Sequence, residues 1–155
     1  MIEKYRKGVG IFLINDKNEV WVGKRFDYKN DYWQMPQGGI DDFESPENAM
    51  KRELMEETGL QENYTIIGKT NKWLKYNLPK DLVNKVWNGK YVGQKQIWFA
   101  CRFFGNDRQI NLNKFDKPEF CKWKWIDPMD CIRLVVPFKK KLYNSVIKEF
   151  SKFWS

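Results

Sequence analysis

The sequence predicts an α/β fold, a mixed sheet covered by helices, and three observations carry that prediction. Apolar, strand-like runs stand both before and after one clearly bounded helix. That helix has a start signal, Ser45-Pro46, and a stop signal, Gly59. A second amphipathic helix closes the chain, with Phe138, Leu142, Val146 and Phe150 recurring every four residues and Ile147 and Phe153 beside them.

The elements follow in order. Residues 9–15 (VGIFLIN) read as a buried strand, 16–18 as a turn and 20–26 as the hairpin partner. Residues 27–44, with Pro36 and Gly38-Gly39, read as loop, and 46–58 as the helix. Residues 64–75 and 96–104 read as further strands, 122–126 as a short one, and the final helix begins near Phe138. No internal repeat, low-complexity tract or linker interrupts the chain, so residues 1–155 are expected to form one domain.

Composition narrows the chemistry. With 42% hydrophobic and 17% aromatic residues the chain can bury a core without a disulfide or a structural zinc. No apolar run approaches the ~20 residues of a membrane span. The basic start MIEKYRKG leads into a short apolar run without a small-residue cleavage site, which reads as a first strand and not a signal peptide. Three cysteines without metal-type spacing read as reduced thiols, and the expected location is the cytoplasm. The chain has no histidine. That excludes Ser-His-Asp and Cys-His triads and imidazole metal sites.

Charge is unevenly placed. The net charge is +8, yet residues 41–62 hold eight acids and two bases. Residues 69–95 hold seven lysines and one acid, and residues 133–155 hold six bases and one acid. An acid cluster inside a basic protein repels itself unless a cation joins it, and the surrounding lysines attract a polyanion. At ~100° per residue, Glu53, Glu56 and Glu57 fall within an arc of about 100° on one side of the helix. Met50 and Leu54 lie beside that arc to anchor it. The natural guests of an all-oxygen cluster are the hard cations Mg²⁺ or Mn²⁺. Arg52, four residues before Glu56, can pair with a carboxylate and orient it. Three glutamates alone would read as a solvated acidic face.

The full spacing changes that reading. Gly38, Glu44, Arg52-Glu53-Leu54, Glu56-Glu57 and Gly59-Leu60 stand at the intervals of the Nudix box, and the stretch resembles that family of hydrolases without a departure. The resemblance implies the Nudix fold, an α/β/α sandwich on a central mixed sheet, and metal-dependent attack of water on a phosphoanhydride. It also implies roles. Glu53, Glu56 and Glu57 would hold the metal, one of them doubling as base. Arg52 would fix a catalytic glutamate, Glu44 would support the loop and helix start, and Gly38-Gly39 would form the tight loop.

Further stretches resemble bacterial RNA pyrophosphohydrolases and the related dinucleoside polyphosphate hydrolases. They are Tyr5-Arg6 with Val9-Gly10-Ile11, residues 33–40 (WQMPQGGI), 73–79 (WLKYNLP), 93–96 (GQKQ) with Trp98-Phe99, Pro118-Glu119-Phe120 with Trp123-Lys124-Trp125, and 135–139 (VVPFK). By that resemblance Glu119 is a further metal ligand or base. Arg6, Arg25, Lys95 and Lys139 are candidate contacts to phosphate or a base edge, Gln94 would position phosphate or water, and Tyr76 and Phe138 would pack on a nucleobase. Trp33, Trp123 and Trp125 read as core. Longer members carry a basic tail after the last helix, where this sequence ends at Ser155. A shorter tail implies lower non-specific RNA affinity. The expected activity is removal of pyrophosphate from 5′-triphosphorylated RNA, leaving a 5′-monophosphate that promotes mRNA decay. The alternative is hydrolysis of a dinucleoside polyphosphate such as diadenosine tetraphosphate. A catalytically idle RNA-binding domain is the reading from another class, and the complete box argues against it.

Overall fold

The computed structural model of the chain describes residues 4–27, 29–115 and 117–155. Alternation along β1 (Tyr5–Ile14) sets its layers, because successive side chains of a strand face opposite ways. Val9, Ile11 and Leu13 join a core cluster with Met50 and Leu54 of α1 (Pro46–Thr58). Phe12 and Ile14 join a second cluster with Val146 and Phe150 at the other end of the chain. The sheet is therefore covered on both faces, as the α/β/α expectation requires.

Seven strands form that sheet, in the order β4 (Tyr64–Lys69), β6 (Gly93–Phe103), β1, β2 (Val20–Arg25), β7 (Phe120–Ile126). β3 (Gln37–Gly39) pairs with β1, and β5 (Leu74–Asn77) with β6. β1 and β6 run parallel, from Tyr5 opposite Gly93 to Ile14 opposite Arg102, and the other pairs are antiparallel. Mixed pairing is thus present at the centre of the sheet.

Several boundaries differ from the sequence reading. β1 begins earlier than residue 9, because Tyr5 to Gly8 also find partners on β6. The expected loop 27–44 contains β3, held by the backbone of Gly8, Val9 and Gly10. The expected strand 64–75 is two strands. Thr70 ends the first, donating its N–H to Trp98 O at 2.9 Å and accepting from Trp98 N at 3.0 Å. Residues 80–92 hold a short α2 (Lys80–Val83) and a 3₁₀ turn at Trp87–Gly89. α3 (Asp130–Leu134) was not anticipated. Phe138 sits in a 3₁₀ turn before α4 (Lys140–Glu149), and α5 (Ser151–Trp154) follows. Trp33 is buried, and Trp123 and Trp125 pack on the core, as expected. Cys101 and Cys131 are buried free thiols and Cys121 is exposed. Among the described residues no helix is long and apolar enough to cross a membrane.

Candidate active site

The site starts with the ends of α1. Ser45 Oγ accepts from Asn48 N at 3.1 Å, Pro46 fills the first helical position, and Gly59 (φ 81°) closes the helix by donating to Met55 O at 2.8 Å. Ala49, Met50 and Leu54 are fully buried on the sheet, with about 2 kcal/mol of apolar burial for each larger side chain. Caps and burial together fix the helix rotation.

That rotation divides the three helix glutamates. Glu53 and Glu57, one turn apart, face inward, while the Glu56 side chain stays at the rim, 46% exposed. Glu57 is 2% exposed. Its Oε2 accepts from Gln37 N at 3.0 Å, and its Oε1 is buried with no hydrogen-bond partner among the described residues. Gly38 lies against the Glu53 carboxyl so closely that any side chain there would collide with it. The two glycines of β3 therefore serve close approach as well as turning.

Arg52 organises the acids. Nε and Nη2 grip Glu44 at 2.8 and 2.9 Å, Nη1 reaches Glu53 at 2.8 Å and Glu56 at 3.3 Å, and Nη2 also donates to Gly39 O at 2.9 Å. A lysine could not make this fork. Arg52, helped by the Asp41 N–H, holds the Glu44 carboxyl down to about 2. For Glu53 burial outweighs Arg52, and its carboxyl is lifted to about 7, with Glu56 and Glu119 adding repulsion. Burial pushes Glu57 well above the ordinary range, and Glu53 and Glu119 push the same way.

Cations face this cluster. Arg25 reaches Glu119 at 3.1 Å and grips Asp27 with two bonds of 2.8 Å. Lys139 is 4% exposed, with Nζ 5.1 Å from the Tyr76 ring. Burial, then Arg25, lowers its ammonium to about 8, while Glu57, Glu119 and Asp27 oppose that. Tyr76 and Phe138 lie 5.9 Å apart, tilted at 37°. A cleft of about 610 Å³ joins Arg6, Arg25, Glu53, Tyr76, Glu119, Phe138 and Lys139.

Two expected contacts lie elsewhere. Lys95 points to the opposite sheet face, its Nζ 5.4 Å from the Trp73 ring. Alternation explains this, since Gln94 and Gln96 take the cleft side. Gln94 is fully buried, and its Oε1 accepts from Tyr76 Oη at 3.2 Å and Gln96 Nε2 at 2.7 Å. It braces Tyr76 and does not line the cleft. The sequence reading also missed Asp27, Gln37 and Trp87 on the cleft wall. Asp27 is two residues from Arg25 and Gln37 adjoins Gly38, whereas nothing local marks Trp87.

Among the described residues no three acidic or thiol side chains converge into a preformed cation cage. Arg52 draws Glu53 and Glu56 aside, and Arg25 does the same to Glu119. The donor set still fits a hard divalent cation. It is all carboxylate oxygen, and Glu57 Oε1, buried and without a hydrogen-bond partner among the described residues, lies beside a second raised carboxyl, Glu53, so that added positive charge would favour ionising both.

Comparison with known proteins agrees with this geometry. The NUDIX domain family matches residues 4–146. The chain is 49% identical over 149 residues to the RNA pyrophosphohydrolase of Wolbachia sp. subsp. Brugia malayi (strain TRS), covering 96% of this chain and 91% of that protein. Among solved structures, the E. coli dihydroneopterin triphosphate pyrophosphohydrolase superposes with a TM-score of 0.70 at 18% identity, covering 95% of this chain and 99% of that one. A C. elegans Ap4A hydrolase binary complex superposes with a TM-score of 0.67 at 20% identity, covering 94% and 96%. These two structures establish the fold. With a family match over most of its length, a strand, loop and helix that together carry every position of the box, and carboxylates gathered by Arg52, the chain belongs to the NUDIX domain family.

Proposed function

We propose that this protein removes pyrophosphate from 5′-triphosphorylated RNA, leaving a 5′-monophosphate and so promoting mRNA decay in the bacterial cytoplasm. One observation carries the reading. A single cleft holds Glu53 of α1 and Glu119, the cations Arg6, Arg25 and Lys139, and the aromatic pair Tyr76–Phe138. That inventory suits a phosphate chain ending in a nucleoside. The near-full-length similarity to a protein named RNA pyrophosphohydrolase supports it.

Glu53, Glu56, Glu57 and Glu119 would hold a divalent cation, Mg²⁺ by preference, or Mn²⁺. When bound it supplies Lewis acidity to the phosphate oxygens and makes the attacking water more acidic. The chain's own groups do the rest. Arg25 and Lys139 bind phosphate oxygens by charge-assisted contacts. Tyr76, braced by Gln94, and Phe138 pack on the first base. Arg52 occupies Glu53 Oε1 and leaves Oε2 to take the proton of the attacking water. Reduced thiols fit a cytoplasmic location.

A second reading keeps one observation of its own. Trp87 lines the same cleft and lies 5.4 Å beneath the Arg6 guanidinium, and a second aromatic wall would suit the second base of a dinucleoside polyphosphate. The two are separated by one assay. With Mg²⁺ present, a short 5′-triphosphate RNA and diadenosine tetraphosphate are compared and the products identified. Monophosphorylated RNA with pyrophosphate is the expected outcome. Decisive preference for the dinucleotide, giving ATP and AMP, would overturn the proposal.

The cation itself has a test that does not depend on turnover. Glu53 ionises at about 7 in the fold against 4.5 unfolded, and Glu57 is raised further. Groups raised in this way stabilise the fold below pH 4.5 and lose that contribution as pH climbs through 7. Glu44, held at about 2, is ionised throughout this window. In chelator, Tm should therefore fall from mildly acidic to neutral pH. Added Mg²⁺ should raise Tm at neutral pH and do little under acid conditions. A Tm indifferent to Mg²⁺ at neutral pH would remove the cation from these glutamates.

A further inference from the structure

A groove of about 540 Å³ lies between the edge strand β5 and the start of α4, outside the cleft. Tyr76 and Phe138 line both, so the groove opens directly from the wall on which the first base would pack. Its other side chains include Tyr5, Lys75, Lys140 and Lys141, and none of its lining residues among the described ones is acidic. The three lysines are exposed. Tyr5 is held in place, its Oη donating to Asn77 Oδ1 at 2.7 Å while Lys75 Nζ lies 4.8 Å from its ring centre.

The groove leads to a second basic feature. Lys75 stands opposite Lys95 on β6, and Lys95 stands opposite Lys7 on β1. Directly paired residues share a sheet face, so three neighbouring strands present three lysines in one row. Like charges placed directly opposite destabilise a sheet. Trp73 lies between two of them, 5.4 Å from Lys95 Nζ and 6.0 Å from Lys7 Nζ. Lysines interleaved with aromatic faces and continuous with a phosphate-binding cleft have the make-up of a single-strand track.

We infer that the RNA body downstream of the 5′ nucleotide leaves the cleft past Tyr76 and Phe138, runs along the β5–α4 groove and continues onto the Lys75–Lys95–Lys7 row. The inference rests on the RNA reading of the cleft and adds the path of the chain. Lysines 75, 140 and 141 hold successive phosphates, and Tyr5 and Trp73 offer stacking faces that tolerate any base. A dinucleoside polyphosphate has no chain to occupy this path.

The test uses an RNA of about twelve nucleotides, within the span such surfaces cover, carrying a 5′-monophosphate so that binding is read without turnover. Fluorescence anisotropy is followed across a salt series for the wild type, for Lys75→Ala/Lys140→Ala/Lys141→Ala, and for a control triple, Lys17→Ala/Lys122→Ala/Lys152→Ala, of equal charge loss. The groove triple should bind on the order of tenfold more weakly, with a log–log salt slope shallower by about 2, as loss of three single-strand phosphate contacts requires. The control triple should stay near wild type. Triple replacement by arginine at the groove should retain binding and guard against a folding defect. A triphosphorylated dinucleotide reaches at most the first of these phosphates, so its KM should rise far less in the groove triple than the long RNA's affinity falls. Unchanged binding of the long RNA, equal loss in the control triple, or an equal rise in KM for the dinucleotide would each overturn the track. A wild type that hydrolyses diadenosine tetraphosphate and no RNA would instead overturn the function proposed above, a different result in a different assay.

Discussion

Glu57→Gln should lower kcat by roughly 10²–10³-fold, the scale of removing one group that manages transition-state charge, and should leave the metal-free protein at least as stable as the wild type. The second half of this expectation is the unusual one. Substitutions at a fully buried residue normally destabilise. Here the wild-type carboxyl is itself the anomaly, because burial disfavours its charge, Glu53 and Glu119 repel it, and Oε1 has no partner among the described residues. The glutamine keeps an oxygen to accept from Gln37 N and carries no charge to desolvate. Thermal melts in chelator should show an equal or higher Tm at neutral pH, and the Mg²⁺-dependent rise should shrink. Single-turnover kinetics on triphosphorylated RNA should show the loss in the chemical step and not in KM. A variant that turns over normally would detach Glu57 from catalysis. A variant that unfolds would show that its charge is structurally required.

Arg52→Ala should damage both stability and rate. The guanidinium holds Glu44, Glu53, Glu56 and the Gly39 carbonyl at once, so its loss leaves several acids mutually repelling on one helix face. Breaking buried ion pairs costs about 3–5 kcal/mol, and a quarter-exposed side chain argues for the lower end or slightly below it. For a chain of this size that is a fall in Tm of roughly 5–10 °C. The rate should drop by about 10–100-fold because Glu53 and the β3 backbone lose their common anchor. Arg52→Lys separates charge from geometry. It restores the cation without the fork, so Tm should recover more than kcat. If Arg52→Ala melts like the wild type, the network does not organise the site.

Both expectations rest on a helix that was readable residue by residue. Ser45, Pro46 and Gly59 are local signals, and the structure places the ends of α1 where they indicate. Glutamate spacing was equally local, although sequence could not say that Glu53 and Glu57 turn inward while Glu56 stays at the rim. That division depends on which face the sheet receives. β3 was illegible because two of its three residues are glycine and its pairing comes from β1, far away in the chain. The break at Thr70 was hidden for the same reason, since its partner is Trp98. Lys95 was misplaced by motif reasoning where simple alternation with Gln94 and Gln96 would have turned it to the other face. Trp87 is a core-adjacent aromatic in a lysine-rich segment, and only the folded chain shows that it reaches the cleft.

The parallel pairing of β1 with β6 also governs how the protein is born. A ribosome emits β1 first, yet the strand's long partner begins at Gly93, and its ladder pairing with β2 is brief, at Ile14 and Val20. Until β6 emerges, the apolar run from Val9 to Ile14 has no lasting neighbour on that side. β3 needs β1, and Gly38 must meet Glu53, so the catalytic geometry waits for the same event. Non-local closures of this kind fold slowly and expose sticky strands meanwhile. A nascent chain stalled before residue 93 should be protease-sensitive throughout, and one stalled well past Phe103 should be the first to resist digestion around α1.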